Sequence, residues 1–425
     1  MADTIFALSS GAPPAAIAVV RVSGPAAGEA LASLSGRLPA DRRAVAATLR
    51  DQAGNLLDHA LVLWLPGPNT ATGEDTAELH LHGGRAVVNA VLTVLAAIPG
   101  LRAADPGEFT RRAFANGRID LSEAEGLADL LSAETELQRR SALSMAGGTF
   151  SRQVEDWREQ LLGLSAAVEA VLDFADEDDV ALLPADFLLR IDTLRIELAR
   201  WLARPRAEAL REGYRVVIAG PPNAGKSTLF NSLVQSEAAI ATPIAGTTRD
   251  VLTRPVAYAG VPFLFADTAG LHDVTEDVVE AIGIERALEA LDLADLVLWL
   301  GPEGQGPSGA WEIAGQCDRA DAVTKRQARH QVSALTGAGI DALIADLVAS
   351  ARQALPKPGE AALNQRQHDL LREAAGALQA AEDETDPLLV AEALRMTRVA
   401  FDALLGRTTT EDMLDALFGR FCIGK

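Results

Sequence analysis

Cysteine is nearly absent from this chain. Only two occur among 425 residues, Cys317 and Cys422. They are too few and too far apart for a disulfide framework, so the cytoplasm is the expected compartment. Long apolar runs are lacking as well: no stretch of about 18 uncharged apolar residues appears, and no membrane span is predicted. The start Met1-Ala2-Asp3-Thr4-Ile5 has neither the basic nor the apolar region of a secretory signal. Positive charge is scarce, with 38 Lys and Arg against 59 Asp and Glu and a net charge of -21. Such a surface repels a phosphate backbone, so an RNA substrate would need a local basic patch or a basic partner. Internal repeats are not found.

What is present is a globular composition, 48% hydrophobic and 23% charged, in a chain long enough for two or three domains. The short apolar runs 17–22 and 60–65 and the alternating Glu78-Leu79-His80-Leu81-His82 read as strands, and 86–97 as a helix, so residues 1–118 form an α+β domain. From Ser122 to about Arg206, apolar residues recur at three- and four-residue spacing, the pattern of amphipathic helices. The acidic stretch Asp173–Asp179 is read as a solvated connection without metal. Beyond Gly213 the pattern alternates β and α to about Ser350, and Pro356-Lys357-Pro358-Gly359 marks a boundary. The remainder is helical to Phe418, with Thr408 and Glu411 as a capping box. The expected architecture is thus an N-terminal α+β domain (1–118), a discontinuous helical domain (119–210 and 355–425) and an inserted α/β nucleotide domain (211–354). Insertion requires neighbouring ends in the host.

The apolar strand Tyr214–Ala219 feeds Gly220-Pro221-Pro222-Asn223-Ala224-Gly225-Lys226-Ser227 and then Thr228, a complete phosphate-loop signature in its strand-loop-helix context. The glycines let backbone N–H groups close on phosphates, Lys226 reaches the β/γ oxygens and the Ser227 hydroxyl coordinates Mg²⁺. About twenty residues on, Gly246-Thr247-Thr248-Arg249-Asp250 is placed to supply a further hydroxyl. The strand 261–266 then ends in Asp267-Thr268-Ala269-Gly270, where Asp267 would hold a Mg²⁺ water and Gly270 a γ-phosphate oxygen. Ser333-Ala334-Leu335-Thr336-Gly337 reads as a base-side loop. A guanine-reading Asn-Lys-x-Asp is missing, and two registers stand in for it, Gly315-Gln316-Cys317-Asp318 and Asp318-Arg319-Ala320-Asp321. The first is preferred because a strand, 311–314, leads into it; Asp318 then accepts from guanine and Gln316 replaces the stacking lysine. Cys317 is read as a buried filler.

Outside this loop, four features resemble the tRNA-modification GTPase family called MnmE or TrmE. These are Asp3-Thr4-Ile5 with Arg21-Val22-Ser23-Gly24; Thr72-Gly73-Glu74-Asp75 with His82-Gly83-Gly84; the string from Pro106 to Arg118; and the ending Phe421-Cys422-Ile423-Gly424-Lys425. The resemblance implies a Ras-like P-loop G domain inserted in the helical domain, and an N-terminal domain that dimerises and binds a formyl- or methylene-tetrahydrofolate. It implies a homodimer and an MnmG-type FAD protein as partner in a heterotetramer. Together these add carboxymethylaminomethyl or aminomethyl groups to C5 of the wobble uridine (U34) of certain tRNAs.

By the same resemblance, Asn223, Thr242, Ile244 and Thr247 bind K⁺ beside the phosphates, Thr248 joins Ser227 on Mg²⁺, and Glu280 orients the attacking water. Arg21, Glu78, Arg118 and Lys425 fall on folate-binding positions, although blind each reads as one more exposed charge. Cys422 is either a nucleophilic or redox-active thiol or a small side chain packed near the folate pocket. The chain departs from the family pattern at Gly11–Ala16, in the spacing between Gly270 and Glu280, and at Gly315-Gln316. Two other readings compete. One is a switch GTPase of the ribosome-assembly or metal-transport type, which has no use for Arg118 or the terminal motif; the other is a folate-binding scaffold with a degenerate nucleotide site.

Overall fold

The computed structural model describes residues 3–173, 183–236, 240–241 (backbone), 253–267, 290–319, 325–408 and 410–425. The chain divides into two compact units, Met1–Ala128 with Asp402–Lys425, and Asp129–Phe401. Composition changes near residue 118, but contacts keep the following helical turn and the C-terminal segment with the N-terminal unit. There Ser122 Oγ donates to the Leu404 carbonyl at 2.9 Å and the Leu121 N–H to that of Leu405 at 3.2 Å.

The first unit is built on a six-stranded mixed sheet of β1 (Thr4–Leu8), β2 (Ile17–Ser23), β3 (Val45–Arg50), β4 (Leu56–Leu65), β5 (Thr76–His82) and β6 (Leu101–Ala103), in the order β3-β4-β5-β2-β1-β6. All neighbours are antiparallel except β1 and β6. Side chains alternate across a strand, so Ala18, Val20 and Val22 of β2 and Ala77, Leu79 and Leu81 of β5 point to one face. Their core includes Leu31 and Leu34 from the helix Ala27–Ser35 and Val88, Val91 and Leu95 from the helix Arg85–Ala96. Arg21, Glu78 and His80 occupy the opposite face by the same alternation. The helix Glu411–Phe418 is retained by Phe418 and Phe421, which pack with Ala124, Phe114 and Leu127. Its N-cap is Thr410 without a side-chain cap bond, so the capping box expected from Thr408 does not form; Glu411 is the first helical residue and cannot reach back as the third would.

The second unit contains a seven-stranded sheet of β7 (Tyr214–Ala219), β8 (Ile240–Ala241), β9 (Thr253–Tyr258), β10 (Val261–Asp267), β11 (Leu296–Trp299), β12 (Trp311–Ala314) and β13 (His330–Gln331). The order is β13-β12-β11-β7-β10-β9-β8, parallel from β13 to β10 and antiparallel through β9 and β8. Central strands buried on both faces read as nearly continuous apolar runs, which is why β7 and β10 lack alternation. The helical part comprises Glu136–Ala146, Thr149–Asp173, Phe187–Leu202, Gln365–Asp383 and, as far as Phe401, the helix Pro387–Leu404, with Trp157 ringed by Phe150, Trp201 and Phe401 at centroid distances of 5.8–6.3 Å. Residues 174–182, which include most of the acidic stretch, lie outside the described residues.

The α/β part is an insertion whose two connections meet. The Ala207 N–H donates to the Leu363 carbonyl at 2.9 Å, and Arg206 Nη1 to Gln365 Oε1 at 2.7 Å. A further joint comes from the helix Glu136–Ala146, capped by a Thr135/Gln138 box. Leu137, 6% exposed, enters the nucleotide-domain core with Tyr214, Tyr258 and Phe263, while its N–H donates to Gly260 at the β9–β10 turn, 3.1 Å away. Gln138 Nε2 donates to the Leu210 carbonyl at 2.9 Å.

Candidate functional site

The phosphate loop leaves the buried C-terminal end of β7 and turns through three left-handed or extended-positive residues, Gly220 (φ 150°), Asn223 (φ 62°) and Gly225 (φ 89°), before the helix Lys226–Val234. A side chain at Gly220 would come within 3.0 Å of the Gly301 nitrogen, so only glycine lets the two loops pass. The helix start leaves backbone N–H groups without intrahelical partners, aimed into the loop. Lys226 is 5% exposed and its Nζ donates to the Pro221 carbonyl at 2.9 Å. Burial pushes its ammonium below the ordinary lysine range, and the Asp267 carboxylate opposes that shift.

Asp267 is 2% exposed at the end of β10, where the parallel register sets it opposite Ile218 of β7. Lys226 and Asp267 are therefore brought together in a poorly solvated site, with the exposed Ser227 and Thr228 on the first helical turn. Buried ammonium and backbone donors suit a polyphosphate, and the Ser227 hydroxyl with the Asp267 carboxylate forms a hard-oxygen set suited to Mg²⁺.

Next to the loop is a cavity of about 190 Å³ whose lining includes Thr228, Leu300, Gln316, Asp318, Arg319 and Ala334. Gln316 adopts a positive φ of 56°, and its Nε2 donates to the Asn223 carbonyl at 3.4 Å, laying the amide against the phosphate loop. A turn closed by the Arg319 N–H on the Gln316 carbonyl, 3.0 Å, carries Asp318 and Arg319 to the cavity. The fully buried Ser333 organises the far wall: its Oγ accepts from the Thr336 N–H at 3.1 Å, and its own N–H donates to Ala338 at 2.9 Å. Gly315, Gln316 and Asp318 thus lie around one cavity, and Asp321 of the second register falls outside the described residues. Cys317 is exposed rather than a buried filler, because the turn directs it outward while its N–H donates to the Val332 carbonyl.

Sequence reasoning missed the support behind this wall. Lys325, with a side chain 2% exposed, donates from Nζ to the Trp299 carbonyl at 2.8 Å and to Glu312 at 2.7 Å. It ties the end of β11 to β12. The alternating burial of Glu312 in β12 is a faint signal for such a partner; nothing in the polar segment around Lys325 announces it.

On the open face of the N-terminal sheet, Arg21 and Glu78 are cross-strand partners, with Arg21 Nε and Nη2 donating to Glu78 Oε1 at 3.1 and 2.9 Å. His80 Nε2 lies 3.2 Å from the other carboxylate oxygen, and the Arg21 guanidinium stands 5.8 Å from the Phe109 ring centre. These are half-buried, paired groups rather than isolated surface charges. Burial pushes the Glu78 carboxyl up, but the Arg21 hydrogen bond and charge, then His80, outweigh it and leave the group below its ordinary range. Arg118 is exposed, and its side chain passes beside Gly73, where a Cβ would meet the Arg118 Cγ at 3.3 Å.

The terminal motif returns to this unit, with Ile423 bridged to Pro106 and Gly424 so close to the Leu8 carbonyl that a Cβ would overlap it at 2.0 Å. Lys425 donates its N–H to the Cys422 carbonyl at 3.2 Å, and Cys422 is exposed. Around the Pro106–Arg118 string, Arg112 joins Asp3 (2.7 Å) and Glu74 (3.1 Å), and Arg102 joins Asp3 and Glu108. Asn116 Nδ2 donates to the Thr72 carbonyl at 2.7 Å, which fastens the Thr72–Asp75 turn.

Thr242, Ile244, Thr247, Thr248, Thr268, Ala269, Gly270 and Glu280 lie outside the described residues. Among the described residues, no cluster of three or more His, Cys, Asp or Glu side chains is arranged to hold a metal, and no helix is long and apolar enough to cross a membrane.

Comparison with known proteins finds two family profiles, "GTP-binding protein TrmE N-terminus" over residues 4–118 and "MnmE helical domain" over residues 121–422. The chain is similar along its whole length to proteins named tRNA modification GTPase MnmE. It is 63% identical to that of Novosphingobium aromaticivorans, with all of both chains covered, and 62% identical to that of Erythrobacter litoralis, again with all of both covered. Against that of Rhizorhabdus wittichii it is 59% identical, covering all of this chain and 97% of the relative.

Proposed function

Because this chain belongs to the MnmE (TrmE) family of tRNA-modification GTPases, we propose that it hydrolyses GTP in the phosphate-loop site and uses turnover to gate a tRNA-modifying complex. The observation that carries the reading is that Lys226, first in the helix after the phosphate loop, and Asp267, last in β10, are both buried and the Asp267 carboxylate acts electrostatically on the Lys226 ammonium. A desolvated ammonium stabilises charge on the transferred phosphoryl far more than an exposed one would.

Within this reading, the loop N–H groups from Asn223 to Thr228 bind and orient the triphosphate, with Thr268, Ala269 and Gly270 on the γ-phosphate side. Asp318, Ser333 and Ala334 hold the base. Mg²⁺ on Ser227 and Thr248, with Asp267 on one of its waters, would supply neutralising charge at the β and γ oxygens. K⁺ held by Asn223, Thr242, Ile244 and Thr247 would add the positive charge that an arginine finger supplies elsewhere. Glu280 orients the water for in-line attack. Arg21, Glu78, Arg118 and Lys425 receive a formyl- or methylene-tetrahydrofolate: Glu78 still has acceptor lone pairs for a pterin amino group, and the cations pair with its carboxylates. Cys422, exposed beside Lys425, is assigned to the same region.

The acidic net charge fits a division of labour in which a homodimer of this chain and an MnmG-type flavoprotein act together in the cytoplasm, the partner carrying much of the tRNA contact. The product is C5-aminomethylated or carboxymethylaminomethylated U34. Steady-state hydrolysis of GTP and ATP in KCl and in NaCl at matched ionic strength, with Glu280→Ala alongside, tests the reading. GTP-selective, K⁺-stimulated turnover lost in the variant is expected. Turnover indifferent to the cation, or equal with ATP, overturns it.

A further inference from the structure

The cavity beside the phosphate loop presents an unusual inventory for reading guanine. Asp318 supplies an acceptor, and Ala334 can contribute only backbone. Gly315 has no side chain at all, and the Gln316 amide is directed to the Asn223 carbonyl. The cavity edge of a purine also carries N7 and, in guanine, O6, both acceptors. Among the described side chains lining this cavity, Arg319 alone is a cation. It follows Asp318 directly, in the turn that the positive φ of Gln316 makes possible and the Arg319 N–H closes at 3.0 Å.

We propose that Arg319 is a specificity-determining residue of the nucleotide site, donating hydrogen bonds to N7 and O6 of guanine while Asp318 accepts from its N1–H and 2-amino group. The fork of guanidinium N–H donors matches the O6/N7 pair in two parallel bonds, the commonest way a protein side chain reads guanine. Adenine offers an amino group where O6 would be, so the same fork meets a donor and rejects it. Neighbouring residues on one turn therefore carry opposite halves of the recognition: an acceptor on one edge of the base and a donor on the other. A cavity without a lysine or asparagine side chain at 315 and 316 can select guanine in this way.

The inference rests on the assignment of Asp318 to the base, and the experiment separates the two. Full-length protein, Arg319→Ala, Arg319→Lys and Asp318→Asn are compared for KM and kcat with GTP, 7-deaza-GTP, which lacks N7, ATP and xanthosine triphosphate. For Arg319→Ala, KM for GTP is expected to rise about tenfold, with kcat retained. The increase with 7-deaza-GTP should be smaller, because the substrate has already lost one of the two bonds. Lysine should restore part of the loss. Equal penalties for GTP and 7-deaza-GTP, or no penalty with either, overturn the role of Arg319. Asp318→Asn should gain xanthosine triphosphate, whose 2-carbonyl an amide can donate to. Failure of that gain removes the base assignment itself, whatever Arg319 does.

Discussion

The nucleotide site and the charge cluster of the N-terminal sheet are built in contrasting ways. The phosphate-binding half of the first comes from one contiguous loop, Gly220–Ser227, plus Asp267 at the end of the neighbouring strand. In the second, Arg21 and Glu78 pair across adjacent strands, while the other residues proposed for folate, Arg118 and Lys425, come from separate segments of the same unit. A contiguous loop concentrates function in backbone geometry, so it tolerates almost no change. A dispersed cluster distributes function over side chains, each worth less alone.

The comparison breaks most sharply at Lys226. Lys226→Ala should lower kcat/KM for GTP about a thousandfold, while tetrahydrofolate affinity measured by equilibrium dialysis stays unchanged; a parallel loss of folate binding would mean that the two sites fail together. Next is the joint in the second unit. Leu137→Ala leaves a cavity among Tyr214, Tyr258 and Phe263, and should cost about 3 kcal/mol in denaturant unfolding, with Leu137→Met nearly neutral. On the dispersed side, Arg21→Ala and Arg118→Ala should each weaken folate binding about tenfold and leave GTP turnover intact. Unchanged folate affinity in both would remove the folate assignment.

Smaller effects sharpen the picture. Thr135→Ala removes the capping box that orients the Leu137 helix and should cost about 1 kcal/mol, read as a lower thermal midpoint. Glu78 has a pKa depressed below its ordinary 4.5. Its contribution to stability is therefore present above about pH 4.5 and disappears as pH falls through the lower, folded-state value. The stability gap between wild type and Glu78→Gln should narrow over that acid window; a gap constant with pH would show that the Arg21 pair does not stabilise the fold.

How much was legible follows from locality. Tyr214–Ala219 and the loop after it were readable because strand, glycines and Lys226 are adjacent in sequence and each has a local physical requirement. Leu137 was readable only as an apolar residue of an amphipathic helix; that it leaves the helical part for the core of the α/β part depends on the turn at Gly260, more than a hundred residues away in the chain. Gln316 and Arg319 were readable only as members of two competing degenerate registers, and their relation to Asn223 and Asp318 depends on a backbone conformation at 316 that a glutamine does not announce. Cys317 was misread for the same reason. At the last helix, Thr408 and Thr410 compete as caps on equal chemistry, and the packing of Phe418 and Phe421 selects the later start.

By itself the sequence determined the element types, the phosphate loop with its lysine, the absence of a disulfide framework and the family resemblance, since these depend on composition, periodicity and contiguous motifs. Only the tertiary structure decided that Arg21 and Glu78 form a half-buried pair, that the terminal Gly424 packs on Leu8, and that Asp402–Lys425 joins the N-terminal unit. It also decided which residues surround the cavity beside the phosphate loop. Those outcomes depend on strand register and on contacts between distant segments, for which short-range sequence carries no instruction beyond the pattern of apolar residues that drives them together.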